Sequence, residues 1–189
     1  MALVGQSKVE DMKRMISRSL MLVLTMTVLF ACKKVEDIKF NIAYETTFII
    51  QNGIGISTPV SILMSDLATN SESEFDTNNT RKENVEEIGL VTLNLEILSP
   101  SGDEFDFLED IELFISADGV NETLLAYVYN MNNSVGTTVA LTCAPSDFKE
   151  FIEQDKFTLR ARIVSDEFIS SDVEIKITST FLVDAELID

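Results

Sequence analysis

Five carboxylates fall within eight residues, Asp103, Glu104, Asp106, Glu109 and Asp110, beside a turn marked by Pro100-Ser101-Gly102-Asp103. Calcium is held by carboxylate oxygens in flexible loops, so these acids are the candidate metal ligands of the chain. Their spacing is not that of an EF-hand, because the mid-loop glycine and the closing bidentate glutamate are out of place. Phe105, Phe107 and Leu108 interleave them, as in a turn or strand packed on a core. Calcium is the one cofactor these residues leave open.

Other chemistries are bounded by what is missing. The sequence has no histidine, which rules out a Ser-His-Asp triad, a Cys-His pair and histidine-ligated zinc. Paired carboxylates could hydrolyse glycosides, yet 32 acidic residues make any one pairing uninformative. There is no tryptophan, so stacking against a sugar would fall to tyrosine or phenylalanine. Tyr44, Tyr127 and Tyr129 could line a recognition surface, although the strand pattern around them favours core or half-buried places. Arg160 and Arg162 share one strand face and are expected to pair with acids of neighbouring strands. Cys143 sits in an alternating apolar run, the setting of a small buried hydrophobe rather than a nucleophile.

The other cysteine, Cys32, ends a different kind of segment. Lys13, Arg14 and Arg18 precede an apolar run from Leu20 to Ala31, and small Ala31 stands before Cys32. The run is shorter than the ~20 apolar residues of a membrane span, and its flanks suit an export signal. Leu29-Phe30-Ala31-Cys32 resembles the lipobox of bacterial lipoproteins, with Phe30 larger than usual at its position. That resemblance implies cleavage after residue 31, a diacylglyceryl group on the Cys32 thiol, and no intrachain disulfide. More than one acyl chain is needed for stable attachment, at about 0.8 kcal/mol per buried methylene. Met12, followed by Lys13-Arg14, makes the better initiator, which leaves residues 1–11 open to being a mis-assigned start.

Lys33 after the cysteine, in place of Asp, resembles lipoproteins that leave the inner membrane. Lys33-Lys34-Val35-Glu36-Asp37 is similar to the surface-export signals of Bacteroidetes-type lipoproteins, with a solvated tether of mixed charge as the equal alternative. The resemblance implies an outer-membrane location, on the periplasmic face or at the cell surface. Removing residues 1–31 takes four of the 14 Lys/Arg and two of the 32 Asp/Glu, leaving 10 cations, 30 anions and a net charge of −20. Such a surface disfavours nucleic acid and anionic headgroups.

The elements that must position these groups are β. Phe40, Ile42, Tyr44, Phe48 and Ile50 alternate with polar residues, and Val60, Ile62 and Met64 repeat the pattern after Gly53 and Gly55. Residues 65–80 read as loop with an edge strand near Phe75, and the capping-box spacing Thr80 to Glu83 predicts helical turns to about Ile88. Further strands run through Val91–Ile97, Ile111–Ala117, Glu122–Tyr129, Val139–Cys143, Phe157–Ile163 and Val173–Ala185, the last with a break at Ser179. Asp118-Gly119 marks a hairpin, and Pro145-Ser146-Asp147 opens a small helix.

About seven to nine strands without long crossover helices predict an all-β fold, an antiparallel sandwich of immunoglobulin-like or jelly-roll type with one or two short helices. The expected organisation is a signal peptide at 1–31, a lipidated tether at 32–38 and a sandwich at 39–189. The expected function is a lipid-anchored, non-enzymatic binding or structural module, with the membrane and an envelope protein or glycan as partners. A calcium- or glycan-dependent adhesion module and a carboxylate-only hydrolase are the alternatives.

Overall fold

Alternation with a period of two places one face of each strand inward, and the fold is what results when those faces meet. The computed structural model describes residues 36–131 and 136–188; the expected signal peptide, Cys32 and the tether as far as Val35 lie outside them. Among the described residues there are nine strands: β1 (Asp37–Ile50), β2 (Val60–Ala68), β3 (Val85–Ser99), β4 (Leu108–Ala117), β5 (Val120–Val128), β6 (Thr138–Ala140), β7 (Thr142–Cys143), β8 (Lys156–Ser165) and β9 (Val173–Glu186). Two short helices accompany them, α1 (Ser71–Thr77) and α2 (Lys149–Ile152).

The strands form an antiparallel β-sandwich, a four-stranded sheet in the order β1-β9-β3-β6 facing a five-stranded sheet in the order β2-β8-β4-β5-β7. First and last strands are neighbours, and the chain changes sheet at every connection except β4 to β5 and β7 to β8. That winding is the double-sheet jelly roll; an immunoglobulin sandwich would divide its strands differently. Between the sheets lies a continuous apolar core including Ile50, Leu95, Ile111, Leu113, Ile175 and Phe181.

Antiparallel pairing sorts the connections to two ends. Loops 51–59, 100–107 and 166–172, and the described ends of the β5–β6 connection, share one end, here the tip. There Gly53 N–H donates to the Ile169 carbonyl at 2.8 Å, Asp166 N–H to Phe107 at 3.1 Å, and Phe105 N–H to Gly136 at 2.9 Å. The opposite end, the base, receives the start of β1, the end of β9 and both helices. There Leu187 N–H donates to the Glu36 carbonyl at 3.0 Å.

Several local expectations need correction. Residues 65–80 hold no edge strand at Phe75: β2 runs on to Ala68 and α1 follows. Its one large apolar side chain, Phe75, is buried at 1% exposure and lies edge-on to Phe40 at 6.3 Å. Tertiary packing, rather than propensity, holds so short a helix.

The capping-box spacing yields only a 3-10 turn at Lys82–Asn84, without a side-chain cap. The Thr80 hydroxyl donates instead to the Glu186 carbonyl at 2.6 Å, and Val85 and Ile88 are drawn into the core as β3. β9 is unbroken at Ser179, whose side chain is small enough to take an inward place. The run 139–143 is two strands, because the chain passes from one sheet to the other at Leu141. β1 begins at Asp37, inside the stretch expected to be tether.

Candidate functional site

Asp103 and Glu104 lie in the loop after β3, and Asp106 in a 3-10 turn at Phe105–Phe107. Phe105 and Phe107 point into the core, so Asp106 between them is turned outward, and Asp103 and Glu104 before them are exposed. With Glu167 and Phe168 of the loop facing them, these three acids line a cleft of about 400 Å³ at the tip. Glu109 and Asp110 belong to β4 instead. Asp110 Oδ1 accepts from Asn130 N–H at 2.9 Å, which ties down the start of the β5–β6 connection. Among the described residues no three acidic or cysteine side chains come together to hold a metal ion. The structure thus places the candidate ligands at one end of the sandwich without converging them.

A denser arrangement covers the outer face of the five-stranded sheet. Cross-strand register sets Ser61 (β2), Arg162 (β8), Glu112 (β4), Tyr127 (β5) and Thr142 (β7) in one row across all five strands. Leu63, Arg160, Phe114 and Leu124 form a neighbouring row. Buried Ala161, Ile163, Ile111, Leu113 and Ala126 flank these positions in sequence, so alternation turns the rows outward, with a bulge in β5 that buries both Leu125 and Ala126 between Tyr127 and Leu124.

The polar heads are locked to one another. Arg160 donates from Nε and Nη2 to the two oxygens of Glu122 at 2.8 and 2.6 Å, and its guanidinium lies 4.3 Å from the centre of the Phe114 ring. Arg162 Nη1 donates to Glu112 Oε2 at 2.7 Å. The Tyr129 hydroxyl donates to Glu112 Oε1 at 2.6 Å. Tyr127 and Tyr129 lie side by side, ring centres 5.0 Å apart and tilted by 31°.

The titration of these groups follows from the contacts. The hydrogen bond from Tyr129, then that from Arg162, holds Glu112 below the usual glutamate range. Arg160 does the same to Glu122. Glu112 in turn raises the Tyr129 phenol above its ordinary value. Both carboxylates therefore stay charged, as bidentate and tyrosyl donors require.

Other candidates resolve as structure. Tyr44 is half-buried, its ring edge-on to Phe157 and Phe181 at 5.4 and 5.8 Å, and burial raises its phenol. Cys143 is half-buried at the end of β7, and burial raises its thiol too, the opposite of what a nucleophile needs. Cys32 lies outside the described residues. Sequence reasoning pointed to Arg160, Arg162, Tyr127 and Tyr129 but missed Glu112, Phe114 and Glu122. Only register, which one sequence does not reveal, brings these to the arginines.

No family model matches the chain, and no curated protein does. Among solved structures, it is similar to the decameric BFDV capsid protein at 10% identity and a TM-score of 0.39, over 79% of this chain and 99% of that one. Turnip yellow mosaic virus gives 9% identity and a TM-score of 0.25, over 79% and 97%. A carbohydrate-binding module from the β-sandwich superfamily gives 10% and 0.30, over 82% and 57%. Similarity at that level says nothing of what this chain binds.

Proposed function

We propose that this chain is a lipid-anchored, non-enzymatic envelope protein that uses the outer face of its five-stranded sheet to bind a partner. The observation that carries the binding reading is the locked row Arg162–Glu112–Tyr127 with Tyr129, Arg160 and Phe114 around it. Tyrosine and arginine are the residues most often found at the energetic centres of interfaces. A face whose rotamers are fixed before binding loses little entropy on contact. The raised thiol of Cys143 and a sequence without histidine support a non-enzymatic role.

The anchor rests on Lys13, Arg14, Arg18 and the Leu29–Cys32 tetrapeptide. β1 starts at Asp37, five residues after Cys32, so an acyl group there would hold the sandwich by its base. From that point β1 spans about 45 Å towards the tip loops at ~3.3 Å per residue. The outer membrane, on either face, is the location this supports.

Mass spectrometry of the protein from its native cells tests the anchor. The expected amino-terminal peptide begins at Cys32 and carries the mass of a diacylglyceryl group with its acyl chains. An unmodified Cys32 with residues 12–31 still attached would overturn it. Envelope capture with the full chain tests the binding reading: a specific partner is expected, and Tyr127→Ala with Tyr129→Ala is expected to lose it. A partner held equally well by that double variant would move the site elsewhere.

A further inference from the structure

Taking the outer face of the five-stranded sheet as the binding surface, we infer that its ligand is an uncharged glycan, lying along the row from Ser61 to Thr142 with sugar rings against Tyr127 and Tyr129. Charge argues first. The chain is net −18, yet this face is balanced, Arg160 against Glu122 and Arg162 against Glu112. An anionic ligand would compete with those carboxylates inside the field of an acidic protein, and a cationic one would compete with the arginines for them. A neutral ligand meets neither opposition.

Chemistry argues second. A pyranose offers an apolar C–H face and a rim of hydroxyls. Adjacent tyrosine rings supply the apolar counterpart, with a hydroxyl at their edge. Of the five N–H donors on each guanidinium, the bonds above use Nε and one Nη2 hydrogen of Arg160 and one Nη1 hydrogen of Arg162. The others remain to meet sugar oxygens. Exposed Ser61 and Thr142 add a hydroxyl at each end of the row.

Extent argues third. Four inter-strand steps of about 4.8 Å make a row of about 19 Å, room for a short oligosaccharide rather than one sugar. The face is open, so contact with only one side of the glycan makes for weak, fast-exchanging binding.

Affinity gel electrophoresis of the full chain tests this, in a polyoxyethylene detergent whose headgroup is not a sugar. The probes are dextran, mannan, laminarin, arabinoxylan and galactomannan, with carboxymethyl- and diethylaminoethyl-dextran as charged comparators. Retardation by at least one neutral polysaccharide is expected, persisting when the same pair is titrated calorimetrically at about 50 and 500 mM NaCl, where screening removes charge attraction. Tyr127→Ala with Tyr129→Ala is expected to weaken binding at least ~10-fold, while Phe168→Ala at the tip leaves it unchanged.

If the alanine pair fails to fold by circular dichroism, Ser61→Glu, exposed at the end of the row, tests the same face and is expected to weaken binding. No retardation by any neutral polysaccharide would overturn the inference. So would binding indifferent to these substitutions, or binding only to the cationic dextran and lost in salt. An envelope protein captured on the face, without polysaccharide binding, would overturn the glycan and leave the binding module standing. The Cys32 mass measurement is independent of all these outcomes.

Discussion

Tyr129 donates its hydroxyl hydrogen to Glu112 Oε1 at 2.6 Å, diagonally across the β4–β5 pair whose register sets Glu112 opposite Tyr127. The bond links the aromatic pair to the Arg162 ion pair, so one carboxylate holds a tyrosine and an arginine, and Tyr127 packs against that tyrosine. Diagonal neighbours on a sheet are within reach of long side chains, and here that reach joins three strands into one surface.

Tyr129→Phe removes that bond and leaves the ring. Glu112 is then expected to titrate at a higher pH, because its first cause of depression is gone, while Glu122, held by Arg160, does not move. Carboxyl-carbon NMR titration of both side chains reads this directly. An unmoved Glu112 would mean that Arg162 alone sets its charge.

The same two glutamates make stability depend on acid. Their folded values lie below the ordinary 4.5, so in that range the unfolded chain binds more protons than the folded one. Their stabilisation is complete above 4.5 and is lost as the pH falls through the folded values. Both pairs are partly exposed to solvent, so each contributes roughly 0.2–1 kcal/mol. Urea melts of wild type and Glu122→Gln should differ most above the ordinary glutamate range and converge as the pH falls below it. A difference that grows as pH falls would contradict the assignment.

Phe75→Ala is expected to cost about 3–5 kcal/mol in urea unfolding, the range for emptying a buried phenylalanine site. Phe168→Ala, where the ring is 62% exposed, should stay within about 0.5 kcal/mol. Equal effects would mean that α1 does not seal the base of the sandwich.

Tyr44 carries a buried hydroxyl with no partner among the described residues, beside a cavity of about 80 Å³ lined also by Thr46, Leu67 and Ser179. Tyr44→Phe removes an unsatisfied polar group while keeping the ring contacts, and is expected to stabilise by about 1 kcal/mol. For a domain of this size that raises Tm by roughly 2–4 °C. A lower Tm would mean that solvent in the cavity satisfies the hydroxyl.

What the sequence made legible was local. Alternation identified the strands from Phe40 to Ala185 and the outward setting of Arg160 and Arg162, because a period of two is written in side-chain type. It could not distinguish jelly roll from immunoglobulin winding, since which strand lies beside which is a non-local outcome of pairing. α1 was hidden because Phe75 is one apolar residue among Ser, Glu, Asp and Thr, and its burial depends on Phe40, distant in sequence. The capping-box spacing misled at Thr80, whose hydroxyl found the Glu186 carbonyl from the far end of the chain. Glu112 and Glu122 were two acids among 32; only the register of β4 with β5 and β8 singles them out.

The acids of the tip give the last prediction. Of the five candidate metal ligands, Asp103, Glu104 and Asp106 line one cleft with Glu167, while Glu109 and Asp110 belong to β4. Calcium needs six to eight oxygens at about 2.3–2.6 Å, which requires side chains to converge, and among the described residues no three acidic side chains do so, with Asp106 turned outward between the buried Phe105 and Phe107. A ligand that binds only the folded state at 100 times its Kd adds about 2.7 kcal/mol, worth roughly 5–10 °C in Tm for a domain of this size. Thermal melts in millimolar calcium and in chelator are therefore expected to agree within about 1 °C. A rise of several degrees, abolished by Asp103→Asn with Asp106→Asn, would show that the loop closes around the ion and would make the tip a calcium site.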